Sequence, residues 1–187
     1  MALKYKHITI HLVTVLAVTL CLRCTDNFKK IQQVGVLQNE PVGVAKDINL
    51  KYTDSGMLTA NLISKTMLDY SNREFGFSEF PDGIHLILYD KEQNKSTITS
   101  NYAIYYTETD VIDLRGNVKI ATTQNDTLFT EQLFYYEKDE WVFTNQPFRL
   151  KSPSGDTYGN GLDSDVDFKR INILEMYDSE FELEGDN

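Results

Sequence analysis

Residues 97–120 repeat, position for position, at residues 127–150, and that repeat limits the chain to few folds. Thr97 falls on Thr127, Ile98 on Leu128, Ser100 on Thr130, Ala103 on Leu133, and Tyr105-Tyr106 on Tyr135-Tyr136. The second halves match in turn: Val111 with Trp141, Val118 with Phe148, and Ile120 with Leu150. A weaker copy starts near Thr157 and another near Leu58. Within each unit the apolar residues recur every second position, the spacing of a strand that is buried on one face. A single unit of this kind cannot bury its apolar face, so the units must stack.

The same period runs through most of the chain. It predicts strands at 48–52, 57–63 and 84–89, then near 97–106, 110–115, 117–123, 127–136, 140–145, 147–152, 156–163 and 170–183. Polar turns separate them, such as Asp54-Ser55-Gly56 and the run from Lys91 to Lys95. Long heptads and ten-residue helical stripes are absent. The expected fold is all-β, an elongated stack of antiparallel strands. Eleven Tyr and ten Phe exclude a disordered chain. A formal net charge of −10, from 28 acidic and 18 basic residues, argues against nucleic acid as a partner.

The N-terminus is built differently. Lys4 and Lys6 precede an apolar run from Ile8 to Leu22, the layout of an export signal or a short anchor. The run falls short of the roughly 20 residues that span a bilayer. Cys21 and Cys24 close it. Cys24, followed by Thr25-Asp26-Asn27, is the candidate lipidation site, although Arg23 is a poor residue to precede a processed cysteine. The expected organisation is a signal or anchor over 1–24, a polar linker over 25–45, a folded domain over 46–183 and an acidic tail over 184–187. No cysteine follows Cys24, so the folded part holds no disulfide and no thiolate metal site.

Catalytic chemistry finds little support. His85 is the one histidine of the folded part, and it sits in an alternating strand. No second His or Cys could complete a metal site with it. No G-x-S-x-G elbow accompanies it for a nucleophilic triad. Gly159-Asn160-Gly161 has no following Lys and reads as a tight turn or a close backbone approach. The chain is expected to be no enzyme and to carry no metal or cofactor.

Several segments together resemble a known family. They are Tyr52-Thr53-Asp54-Ser55-Gly56 running into Leu58-Thr59-Ala60, Phe80-Pro81-Asp82-Gly83-Ile84, Tyr89-Asp90, Leu114-Arg115-Gly116-Asn117-Val118, Leu128-Phe129-Thr130-Glu131-Gln132-Leu133, and Gly159 through Asp165. Over about residues 46–175 the chain is similar to the LptC family, the periplasmic component of the lipopolysaccharide-export ABC transporter. The leader departs from the longer uncleaved helix of many relatives.

The resemblance implies a twisted open β-jellyroll that passes lipopolysaccharide along its interior. It also implies tethering to the periplasmic side of the inner membrane through the N-terminus. The partners would be the inner-membrane transporter and an LptA-like bridge protein, joined by edge-strand addition. Carrying lipid this way is physically sound, because a dozen exposed methylenes cost on the order of 10 kcal/mol. The residues expected to line an apolar groove are Leu62, Ile84, Leu86, Leu88, Ile98, Val118, Ile120, Leu128, Phe148 and Leu150. The same residues would also serve an ordinary sandwich core. Gly56, Gly116, Gly159 and Gly161 are read as glycines between strands, and the resemblance implies that such turns serve docking. A different reading is a periplasmic or surface lipoprotein that binds glycans or partner proteins through its sheet edges. One Trp disfavours a glycan binder, while the many Tyr favour it.

Overall fold

The computed structural model describes residues 40–181. The leader, Cys24, most of the linker and the tail lie outside the described residues. Among those described there is no helix; eleven strands form one antiparallel sheet. They are β1 (Gly43–Asp54), β2 (Met57–Asp69), β3 (Phe77–Phe80), β4 (Ile84–Tyr89), β5 (Lys95–Ser100), β6 (Tyr102–Tyr106), β7 (Val111–Ala121), β8 (Thr127–Tyr136), β9 (Trp141–Ser152), β10 (Gly155–Asp165) and β11 (Ile171–Phe181). This is the all-β fold expected, and it is consistent with a β-jellyroll.

The pairing is simpler than eleven segments suggest. β3 and β4 both pair with β2 on one side, and with β6 and β5 on the other. They are two halves of one strand broken at Pro81-Asp82-Gly83. β5 and β6 are likewise halves of one strand broken at Asn101, and both pair with β7. With each pair counted once, the sheet is a meander in chain order, every strand beside the next.

A crease crosses this meander through the middle of each strand. The ladder skips Asp47 opposite Lys65, breaks between Arg115 and Val118, again between Thr130 and Phe134, and again between Asn160 and Leu162. Bulges of this kind bend a strand sharply. Positive φ at Asp47 (51°), Gly83 (76°), Gly116 (73°), Asn117 (49°) and Gly161 (71°) marks where the bends fall. Backbone groups freed at the crease are paired by buried hydroxyls. Ser64 Oγ donates to the Gly83 carbonyl at 2.7 Å, Thr130 Oγ to that of Pro147 at 3.0 Å, and Thr144 Oγ to that of Gln132 at 2.6 Å.

The crease divides the sheet into two arms. Arm A holds 48–64, β4, β5, 118–130, 148–160 and 175–181; arm B holds 43–46, 66–69, β3, β6, 111–115, 133–144 and 162–173. Alternate side chains from both arms enter one buried apolar core, with Ile98, Leu114, Ile120, Leu128, Leu133 and Val142 fully enclosed.

The structure corrects several expected boundaries. Val111–Ala121 form a single strand, as do Trp141–Ser152, because a bulge lets the chain bend without ending its ladder. The expected single strand over 97–106 is instead interrupted at Asn101. β1 opens at Gly43, inside the segment read as linker, where Val44 and Ala45 pair with Leu68 and Met67. β3 was not foreseen: four residues are too few for alternation to register, and Phe77 is held by stacking on Tyr70 at 4.7 Å.

Candidate functional site

Between the arms lies a cavity of about 200 Å³. Its floor is Leu62, Phe80 and Leu86. Ala60 and Leu88 of arm A face Tyr105, Ile112 and Tyr135 of arm B across it. The rim, at the arm tips away from the crease, is Tyr52, Thr59, Glu137 and Glu140. The apolar walls come from alternation: in β4, Ile84, Leu86 and Leu88 share one face while His85 points out and is exposed.

Charge is confined to the rim. Burial holds the Tyr105 phenol well above its ordinary range, and Glu137 and Asp110 beside it push the same way. Tyr105 Oη donates to Asp110 Oδ1 at 3.3 Å. Burial also raises Tyr135, with Glu140 and Glu137 adding to the effect, and raises Tyr52, again with Glu137 nearby. These phenols therefore stay neutral, so the tyrosine part of the wall presents rings and hydroxyls without charge. Among the described residues, no group of three or more His, Cys, Asp or Glu is placed to hold a metal ion.

Leu62, Ile84, Leu86, Ile98, Val118, Ile120, Leu128, Phe148 and Leu150 are all buried in the one core, and Leu88 packs against it half-buried. They are brought together. Only Leu62, Leu86 and Leu88 border this cavity. Ile98, Ile120, Leu128 and Leu150 are packed in the core, Ile84 borders a separate cleft, and Val118 and Phe148 border a groove on the outer side.

A family model described as "Lipopolysaccharide-assembly, LptC-related" matches residues 10–180. The chain belongs to the LptC family. None of the curated proteins compared with it matches the chain. As a member of the LptC family it takes part in lipopolysaccharide transport, and the family is one of envelope-associated periplasmic transport components. Among the described residues no helix is long and apolar enough to cross a membrane.

Three of the four glycines are placed differently from the reading that set them between strands. Only Gly56 lies in a turn, with open space where a side chain would go. Gly116 lies inside β7 at the crease. Gly159 and Gly161 lie inside β10. At Gly159 a Cβ would come within 2.4 Å of the Glu175 carbonyl oxygen and 2.8 Å of the Phe148 ring, a close backbone approach and not a turn.

Sequence reasoning missed the arm B side of the cavity: Phe80, Tyr105, Ile112 and Tyr135. A signal existed, since Tyr105 and Tyr135 are matched positions of the repeat. It pointed to similarity between units and not to which arm each residue would face.

Proposed function

We propose that this LptC-family protein receives lipopolysaccharide from the inner-membrane ABC transporter and passes it between its two arms to an LptA-like bridge protein. The N-terminal segment ending at Cys24 would tether it to the periplasmic side of the inner membrane. The observation that carries this reading is the cavity, whose walls are apolar on both arms and whose charged groups stand only at the tips.

At rest the cavity is small. An engineered cavity of about 150 Å³ accepts a benzene ring. A space of about 200 Å³ therefore holds part of one acyl chain and no more. Lipid enters as the arms part at their tips, and the crease, rich in glycine and broken ladders, is the line about which they turn. Among the described residues two edges bound the path: β1 is paired only with β2, and β11 only with β10. Exposed edges are templates for a neighbour's strand. They support contact with the transporter at one end and with the bridge at the other.

Photocrosslinking tests the path. A photoreactive residue at Leu86 should capture lipopolysaccharide during export, whereas one at His85 or Ile87 should not. Capture from His85 and none from Leu86 would overturn it. Mass spectrometry of the N-terminal peptide tests the tether: diacylglyceryl-Cys24 or an intact Met1 peptide in the membrane fraction supports anchoring, and a soluble trimmed form refutes it.

A further inference from the structure

The outer face of arm A carries a second arrangement that transport through the interior does not use. Cross-strand neighbours run Thr99, Lys119, Phe129, Arg149, Tyr158 and Tyr177 over six strands, each opposite the next. Their side chains border an open groove of about 570 Å³, within the range of small-ligand sites. Phe129 and Tyr177 are 38% and 40% exposed, large for aromatic rings. Cations alternate with the rings. Lys119 Nζ lies 5.7 Å from the Phe129 ring centre, and the Arg149 guanidinium is 5.9 Å from Phe129 and 5.8 Å from Tyr158.

We propose that this stripe is a binding site for an acidic oligosaccharide, namely the saccharide portion of the lipopolysaccharide. The source of the sugar rests on the proposed function above. Sugar rings offer C–H faces to aromatic rings and hydroxyls to tyrosine phenols, and a sugar carboxylate or phosphate is a partner for an ammonium.

Lys119 forms no ion pair among the described residues, so its charge is available. Arg149 is held by Asp156, with Nη2 to Oδ2 at 2.5 Å and Nε to Oδ2 at 2.9 Å, which fixes its plane beside Tyr158. Glu131 is the acid bordering the groove, and its Oε2 accepts from the Asn117 amide at 3.4 Å. Two cations flanked by two acids, in a chain of net charge −10, suit a ligand with few charges and repel a polyanion such as nucleic acid. An added peptide strand is excluded here, because β7 to β10 are paired on both sides. The alternation of rings with charges leaves no continuous apolar patch for a protein to cover. Val118 and Phe148, themselves buried in the core, also border the groove, whereas Leu128 does not, so the saccharide would lie over strands whose other face packs the interior.

Calorimetry on the full chain, with delipidated acidic oligosaccharide released from lipopolysaccharide as probe and a neutral glucan as control, tests this. The acidic probe should bind and the glucan should bind at least ten-fold more weakly. Lys119→Gln should remove that preference, and Phe129→Ala or Tyr158→Ala should weaken binding about ten-fold, while photocapture of lipopolysaccharide from Leu86 stays unchanged. No saccharide binding, or binding unaltered in all three variants, overturns the site and leaves the interior path standing. Loss of Leu86 capture with saccharide binding intact strikes the path and leaves the site.

Discussion

The two copies of the repeat reach the same crease by different routes. In residues 97–120 the first strand is broken at Asn101, and the second bends at Gly116-Asn117, both with positive φ. In residues 127–150 neither strand ends, and the bend falls at Glu131-Gln132 and at Asn145 to Pro147. Ser100 and Thr130 are matched and both buried, yet Thr130 Oγ donates to the Pro147 carbonyl while Ser100 Oγ has no partner among the described residues. Interior positions are copied faithfully: Ile98 and Leu128 are each 0% exposed. The lesson is that the repeat conserves what faces the core and leaves each copy to pair its freed backbone groups locally.

The largest effect should come from breaking the crease at its tightest point. A Cβ at Gly83 would lie 2.0 Å from the Ser100 carbonyl oxygen, a backbone atom that cannot move aside, and φ there is +76°. Gly83→Ala should cost more than about 4 kcal/mol and leave little folded protein. At Gly116 the nearest obstacle is the Asn101 side chain at 3.3 Å, so Gly116→Ala should cost only the left-handed penalty of about 1–2 kcal/mol. Urea titration of the two variants separates these cases, and equal losses would mean that the crease is not set by close approach.

Next come the copied core positions. Ile98→Ala and Leu128→Ala should each cost about 2–5 kcal/mol, since a cavity is left in a solid core. A loss under about 1 kcal/mol at either site would show that the two copies are not packed alike.

Smaller differences should appear where the copies diverge. Thr130→Val removes the hydroxyl donor to the Pro147 carbonyl and should cost about 0.5–1.5 kcal/mol. Ser100→Ala removes a hydroxyl that makes no hydrogen bond and should shift stability by less than about 0.5 kcal/mol, or raise it. Similar costs at both positions would show that the crease in 97–120 relies on an unseen partner of Ser100.

The smallest effect is a pH dependence. Tyr102 is pushed up to about 12, first by burial and then by its hydrogen bond to Glu79. The fold thus favours the neutral phenol. That stabilisation is fully present below the ordinary tyrosine pKa of about 10 and is lost as pH rises from there through about 12. Matched Tyr105 and Tyr135 are also held above the ordinary range, in both cases chiefly by burial. Absorbance titration should show late-ionising tyrosines, and Tyr102→Phe, Tyr105→Phe and Tyr135→Phe should each remove one. A single ordinary transition would contradict the burial of all three.

The outer face of arm B sharpens the contrast with the proposed saccharide stripe of arm A. There Phe134 stacks on Phe143 at 4.8 Å, and Tyr136 sits 5.9 Å from Phe143. The Trp141 indole N–H donates to Asp163. The buried Asp113 accepts from Arg115 and Gln132. Arm B rings also meet cations, with the Arg170 guanidinium 5.1 Å from Trp141. There, however, Phe134, Tyr136 and Phe143 lie against one another, whereas the arm A stripe shows no such ring–ring contact among the described residues. An Arg or Lys placed at Asp163 should therefore not create a saccharide site.

Much of this protein could be read before any fold was known, because alternation is a local property. Ile84, Leu86 and Leu88 declare a buried face within six residues, and the 30-residue offset declares that such faces stack. The share of the core held by Leu62, Ile98, Val118, Ile120, Leu128, Phe148 and Leu150 follows from that rule alone. What alternation cannot say is where a ladder bends, since that depends on which distant backbone atom comes close. Gly83 is required by the carbonyl of Ser100, and Gly159 by that of Glu175. Neither neighbour is visible from the glycine's own sequence context, so Gly116, Gly159 and Gly161 read as lying between strands when they lie inside them. The close backbone approach at Gly159 is nonetheless one of the two readings its context allows. The cavity is decided at the same level: Leu86 and Tyr135 meet only because the crease folds arm B over arm A, and a period of two carries no information about that fold.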